Sequence, residues 1–220
     1  MIAVLRRVRN TDFQGTMADS IAVSLYYILP EYGGLGGPIR LMLDDAGVFY
    51  VFNYIEYYEE FPNKVKPRWI EEGHPFDCAP MIELYGKRYS GTQPILRFLS
   101  KKLNNKYTPD DLDLEQYVDA TTDYAADWIQ AYFKAAYRTM NVKEYQQNDL
   151  QRYLKRFDRI YSMHEGPYAA GQKISYCDFF VYIVLMVDAH KEYIKDYPNL
   201  VALAKAIESR PNLQEVVKQI

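Results

Sequence analysis

The run Val23–Ile28 (VSLYYI) is rich in β-formers, and Ile39–Ala46 is an apolar helical segment stopped by Gly47. Phe49–Tyr54 reads as a second strand. The Gly/Pro-rich stretch Leu29–Pro38 joins the first strand to the helix. Glu59–Glu72 is polar, carries Pro62 and Pro67, and reads as irregular. Met81–Leu84 and Arg88–Tyr89 are short strands joined by a tight turn at Tyr85-Gly86-Lys87. Ser90-Gly91-Thr92 breaks the second of these and caps a helix, Gln93–Leu103, with Ile95, Leu96, Phe98 and Leu99 on one side. The order is βαβ followed by ββα, a small α/β domain.

The stretch Lys101–Leu112, with Asn104, Asn105, Pro109 and Asp110, is the linker, and after it the period changes. Asp113–Asn141, Lys143–Glu165 and Ser175–Asp196 show apolar residues at helical spacing, and Pro198 and Pro211 delimit a shorter helix. The division expected is an N-terminal extension over residues 1–20, the α/β domain over 21–104 and an all-α domain over 113–220. Ser175-Tyr176-Cys177-Asp178 has the form of a capping box with Asp in place of the usual Glu, which gives Asp178 a folding role rather than a catalytic one.

At 220 residues the chain can bury a sizeable core, and 49% hydrophobic with 25% charged residues is ordinary for a globular protein. A net charge of -3 gives no general attraction to nucleic acid, and no apolar run is long enough to span a bilayer. Cys78 and Cys177 lie far apart and read as two free thiols in a reducing compartment. His74, His164 and His190 have no ligand spacing and no neighbouring Cys pair, so no metal site is expected. Met1–Thr16 holds Arg6, Arg7 and Arg9 against one acid, Asp12, while Met17-Ala18-Asp19-Ser20 reads like a start just before the first strand. The segment reads as an extension or an alternative start, with no secretory signal. The unusual figure is 22 Tyr, a residue that brings apolar area and a hydroxyl together.

Pro75–Leu103 (PFDCAPMIELYGKRYSGTQPILRFLSKKL) combines an X-Pro before a strand, a hairpin and a helix N-terminus, a set suited to an extended peptide bearing a carboxylate. It resembles the glutathione-binding half of the cytosolic glutathione transferases. Gly33–Tyr50 (GGLGGPIRLMLDDAGVFY), Gly171–Phe179 (GQKISYCDF) and Tyr197–Pro211 (YPNLVALAKAIESRP) are similar to further family motifs, in the same order. The resemblance implies a thioredoxin-like N-terminal domain followed by an all-α one. It also implies a cytoplasmic homodimer that uses glutathione as co-substrate, without a metal, and joins its thiolate to a hydrophobic electrophile or isomerises one.

The resemblance also assigns residues. Ala79-Pro80 matches the family's cis-proline turn, where the Ala79 backbone pairs with the cysteinyl unit of glutathione and Cys78 stands beside it. Thr92 occupies the position whose hydroxyl and N–H hold the γ-glutamyl carboxylate. Gly91 replaces the Gln or Glu that usually holds the γ-glutamyl amine, and Gly33 replaces an Arg after the first strand. Trp69 is placed at the glycine end of glutathione, and Asp127 is placed to reach the partner subunit's ligand. Leu25–Arg40 has no Ser or Cys, which argues against the serine- and cysteine-type members. The thiol donor is then Tyr27, from its match to the tyrosine-type pattern, with Tyr26 and Tyr32 as alternatives. The spacing from Tyr27 to Pro38 is longer than in that pattern. That departure, with Gly33 and Gly91, leaves open a non-catalytic, ligand-binding or structural protein of the same fold. An apolar substrate pocket is expected near Trp128 and Tyr132, two residues that fit interhelical core equally well.

Overall fold

The computed structural model describes residues 2–6 and 23–220, so the rest of the proposed extension lies outside the described residues. The chain forms two compact units, one running through Leu96 and taking in Pro211–Ile220, the other spanning Arg97–Arg210. The tail after Pro211 therefore groups with the α/β part, where Asn212 donates its side-chain N–H to the Asp45 carbonyl at 2.9 Å.

The first unit is a five-stranded mixed sheet of β1 (Ile2–Arg6), β2 (Val23–Tyr27), β3 (Tyr50–Tyr54), β4 (Met81–Leu84) and β5 (Lys87–Ser90), in the order β1-β3-β2-β4-β5. β2 and β3 run parallel and are joined by α1 (Gly37–Ala46), the usual crossover for a parallel pair. β1 pairs antiparallel with β3 over five residues, from Ile2 opposite Tyr54 to Arg6 opposite Tyr50. α1 begins with Pro38 in its first turn and ends at Gly47, whose φ of 69° suits a residue without a Cβ. All of Gly37–Asp45 is buried.

The stretch Glu59–Glu72 is ordered, contrary to the irregular segment expected. A π-helical turn at Phe61–Val65 leads into α2 (Lys66–Glu71). Pro62 and Pro67 fall in the opening turns of these elements, where a missing N–H costs nothing. Phe61, Val65 and Trp69 pack with Ile55 and Met81 into one apolar cluster. α3 (Thr92–Lys102) follows β5 directly.

The second unit is helical: α4 (Leu112–Phe133), α5 (Val142–Tyr145), α6 (Gln151–Tyr161), α7 (Tyr176–Leu185), α8 (Asp188–Lys191) and α9 (Pro198–Glu208). Two expected long helices are shorter because π-helical turns at Lys134–Arg138 and Gln146–Leu150 interrupt them, and Met140 takes a positive φ of 52° between α4 and α5. Every residue of α7 is buried, as an all-round apolar helix requires. The capping box forms at its start. The Asp178 carboxylate accepts the Ser175 N–H at 2.7 Å, the Ser175 hydroxyl at 2.8 Å, and the Tyr161 hydroxyl and Ala169 N–H at 2.9 Å each. Burial pushes this carboxyl above its usual range while the four donors pull it back down.

A second buried network holds α4, α5 and α8. The Trp128 indole N–H donates to Tyr145 Oη at 2.8 Å, and Tyr145 Oη lies 2.9 Å from His190 Nε2. His190 Nδ1 lies 2.6 Å from the Val184 carbonyl, which fixes a hydrogen on that nitrogen. Burial holds the imidazole neutral by lowering its pKa to about 4. A His whose folded pKa lies below its unfolded one loses stability on acidification, because the unfolded chain takes up the proton first. We expect His190 to cost the fold up to about 3 kcal/mol as pH falls from about 6.5 to 4. Asp178, held above its usual range, works in the opposite sense, so urea unfolding of the native protein against His190→Gln isolates the imidazole. A difference that does not change with pH would contradict the expectation.

Candidate functional site

The site in the first unit is built where β2 ends, where β4 begins and where α3 opens. Met81 of β4 pairs with Tyr26 of β2, which brings the preceding Ala79-Pro80 turn to the end of β2. The Ala79–Pro80 peptide bond is cis. The Pro80 carbonyl accepts the Gly91 N–H at 3.2 Å, so the turn and the start of α3 are tied together. Gly91 has a φ of 88°, a conformation that glycine adopts without strain.

The loop after β2 is held in two different ways. Its first half is clamped by charge buried on α1. The Arg40 guanidinium donates to the carbonyls of Pro30 and Glu31 at 2.9 Å each, and lies over the rings of Tyr32 and Phe52 at 3.9 and 4.1 Å. Tyr32 donates to Asp44 at 2.6 Å, with Tyr50 on the same carboxylate oxygen at 3.3 Å. Burial, then the Asp44 charge, push both hydroxyls above the usual phenol range. Tyr32 is therefore committed to holding the loop.

The second half, Gly33–Gly37, lies over Tyr27. Tyr27 is 3% exposed, and its hydroxyl accepts the Leu35 N–H at 2.7 Å. A Cβ at Gly34 would sit 2.5 Å from the Tyr27 hydroxyl, and one at Gly36 would sit 2.4 Å from its ring. Thr92, 2% exposed, donates its hydroxyl to the Leu35 carbonyl at 2.8 Å. Tyr27 and Thr92, far apart in sequence, thus meet the main chain of one residue. Tyr26 alternates to the other side of the strand, edge-on to Trp69 at 6.0 Å, and burial raises its pKa.

Beside the Ala79 turn is a cavity of about 440 Å³ lined by Tyr57, Tyr58, Phe61, Pro62, Lys66, Asp77, Cys78 and Ala79. Cys78 is exposed and its thiol is free. Lys66 pairs with Asp77 at 3.5 Å and lies over the Phe61 ring at 5.1 Å. Trp69 does not line this cavity. It is 1% exposed, edge-on to Phe61 and Tyr26 at 6.0 Å each, and belongs to the apolar cluster. Lys66 and Phe61 were missed in the sequence because the two prolines made their segment read as irregular. A basic residue just inside a proline-started helix was the available signal.

In the second unit Asp127 is exposed on α4. Trp128 is fully buried, stacked on Tyr153 at 5.5 Å and on His190 at 5.4 Å. It is interhelical core and not the wall of an apolar pocket, which corrects that expectation. Among the described residues no group of His, Cys, Asp and Glu is placed to hold a metal ion. Among the described residues no helix is long and apolar enough to cross a membrane.

Residues 123–219 match the family described as glutathione S-transferase, C-terminal domain. The chain is 26% identical over 203 residues to glutathione S-transferase alpha-4 of Rattus norvegicus, covering 88% of this chain and 87% of that one. It resembles the Pi-class glutathione S-transferase of Onchocerca volvulus with a TM-score of 0.78 at 22% identity, covering 89% of this chain and 92% of the other. Prostaglandin synthase D of Nilaparvata lugens aligns with a TM-score of 0.73 at 22% identity, over 90% and 98% of the two chains. The fold is the thioredoxin-like plus all-α fold of these proteins, and the matches support a member of the cytosolic glutathione transferase superfamily.

The tight seat of Gly36 on Tyr27 has a direct consequence. Gly36→Ala places a methyl against a buried ring, and an overpacking cost of about 1–3 kcal/mol is expected. Urea denaturation should show it, whereas Gly73→Ala meets open space and carries only the cost of its φ of 81°. Equal stability of Gly36→Ala and the native protein would mean that the loop does not rest on Tyr27.

Proposed function

We propose that this protein is a tyrosine-type glutathione transferase, sigma/mu/alpha-like, which joins the glutathione thiolate to a hydrophobic electrophile or isomerises one. The observation that carries the reading is the hydrogen bond from the Leu35 N–H to the Tyr27 hydroxyl at 2.7 Å. A phenol that accepts a hydrogen bond becomes a stronger donor through its own hydrogen. Such a donor stabilises a thiolate, the form of glutathione that attacks.

In this reading the peptide lies along the Ala79 backbone as an added strand, beside Cys78 and Pro80. Its γ-glutamyl carboxylate meets the Thr92 N–H and hydroxyl at the start of α3, where the helix dipole favours a negative charge. Gly91 supplies backbone only, so the amine end has one side-chain contact fewer. The cavity beside Ala79 takes the glycine end, with the Lys66 ammonium for its carboxylate. Trp69 supports that wall from within the apolar cluster. Asp127 would act across a homodimer, on the glutathione held by the partner subunit. Nothing in the reading calls for a metal.

A second reading, a glutathione binder without turnover, is favoured by Gly91 and by the Thr92 hydroxyl being engaged with Leu35. Retention on immobilised glutathione followed by assay with a generic aromatic electrophile separates the two readings. Binding with turnover supports the enzyme, and binding alone supports the binder.

The two residue roles can be tested separately. Tyr27→Phe should lower the rate of conjugation by about ten- to a hundredfold, the worth of one hydrogen bond to a charged sulfur, and leave glutathione affinity nearly unchanged. Full rate in Tyr27→Phe would remove its hydroxyl from the mechanism. Lys66→Met should weaken glutathione about three- to tenfold at low salt, and less at high salt, because the group is only partly buried. Calorimetric titration at two ionic strengths reads this, and an unchanged affinity would place the glycine carboxylate elsewhere.

A further inference from the structure

We infer that the Leu35 main chain is a latch linking the carboxylate end of the site to its thiol end. The inference rests on the glutathione reading for the identity of the ligand, but not for the existence of the latch. In the structure Leu35 engages both hydroxyls at once. Its N–H is given to Tyr27 at 2.7 Å, and its carbonyl receives the Thr92 hydroxyl at 2.8 Å.

The loop divides at this point into a pinned half and a glycine-rich half. Pro30, Glu31 and Tyr32 are pinned by Arg40 and Asp44. Beyond them Leu35 is the one residue with a side chain between Gly33-Gly34 and Gly36-Gly37, and Gly34 takes a φ of 60°. Glycines on both sides allow the backbone to turn while the pinned half stays still.

A threonine hydroxyl has one hydrogen to give. A carboxylate arriving at the start of α3 is a better acceptor than a peptide carbonyl, because bonds to charged groups are the stronger ones. Taking that hydrogen frees the Leu35 carbonyl and removes one of the two side-chain hydrogen bonds that hold Leu35. The ligand's carboxylate therefore loosens the cover on the hydroxyl that is to meet its sulfur. Peptide thiols without the γ-glutamyl carboxylate lack that lever.

Hydrogen exchange at the Leu35 and Gly37 amides tests the latch directly. Thr92→Val removes the hydroxyl and keeps the shape, so these amides should exchange about three- to tenfold faster with no ligand present. Thr92→Ser should restore the native rate. Tyr27→Phe cuts the other contact and should speed exchange at Leu35, which serves if Thr92→Val folds poorly. Unchanged exchange in a folded Thr92→Val overturns the latch. In the native protein, glutathione should change exchange at Gly37 and cysteinylglycine should not. Bound glutathione that leaves this amide unaffected overturns displacement by the carboxylate. If glutathione fails to bind at all, the functional reading falls, and the Thr92→Val result still decides the latch.

Discussion

A charged group sealed from water must find all of its partners inside the protein, and this constraint organises both units. Asp178 sits at the head of the wholly buried α7, and its carboxylate can remain there only because four donors converge on it. Those donors come from the end of α6, from the connection before α7 and from the residue that caps it. Satisfying one carboxylate thus fixes how three consecutive pieces of chain meet. Arg40 and Asp44 place two more buried charges on α1. Their partners are two loop carbonyls and two tyrosine hydroxyls, and that is what gives the loop after β2 its path.

Tyrosine hydroxyls supply many of the interior hydrogen bonds in both units. Tyr32 and Tyr50 serve Asp44, Tyr161 serves Asp178, Tyr176 donates to Asp119, Tyr117 donates to the Ile160 carbonyl, and Tyr145 links Trp128 to His190. Each fills core volume with a ring and delivers a hydroxyl at its far end. Six of the 22 tyrosines serve structural roles of this kind, whereas the Tyr27 hydroxyl meets the glycine-rich half of the loop.

The alternation of strands and helices, the hairpin and the start of α3 were legible because each depends on local signals: β-formers, a glycine stop, the Ser90-Gly91-Thr92 break. The capping box at Asp178 was legible for the same reason, whereas the cis-proline turn came from the family resemblance. The choice among Tyr26, Tyr27 and Tyr32 was not legible in full. It turns on Asp44, a residue well along the next helix that claims Tyr32, and on strand alternation, which sends Tyr26 to Trp69. The depth of Trp69 and Trp128 depends on contacts between elements, which one sequence does not display. Lys66 was hidden by prolines that mark helix starts as readily as loops. The π-helical turns that shorten the long helices change a hydrogen-bond offset without a clear change in apolar spacing.

β1 carries a consequence for the surface of the sheet. Without it β3 would offer a full row of unpaired backbone groups along one side, a template to which another extended chain could add. With Ile2–Arg6 paired along its whole length, β3 becomes an interior strand, and the exposed rims fall to strands of five and four residues. The outer strand on the far side, β5, begins Lys87-Arg88, charges that discourage a neighbour from docking there. Ile2–Arg6 thus move that edge of the sheet one strand outward, so that the parallel pair β2 and β3 lies wholly inside it.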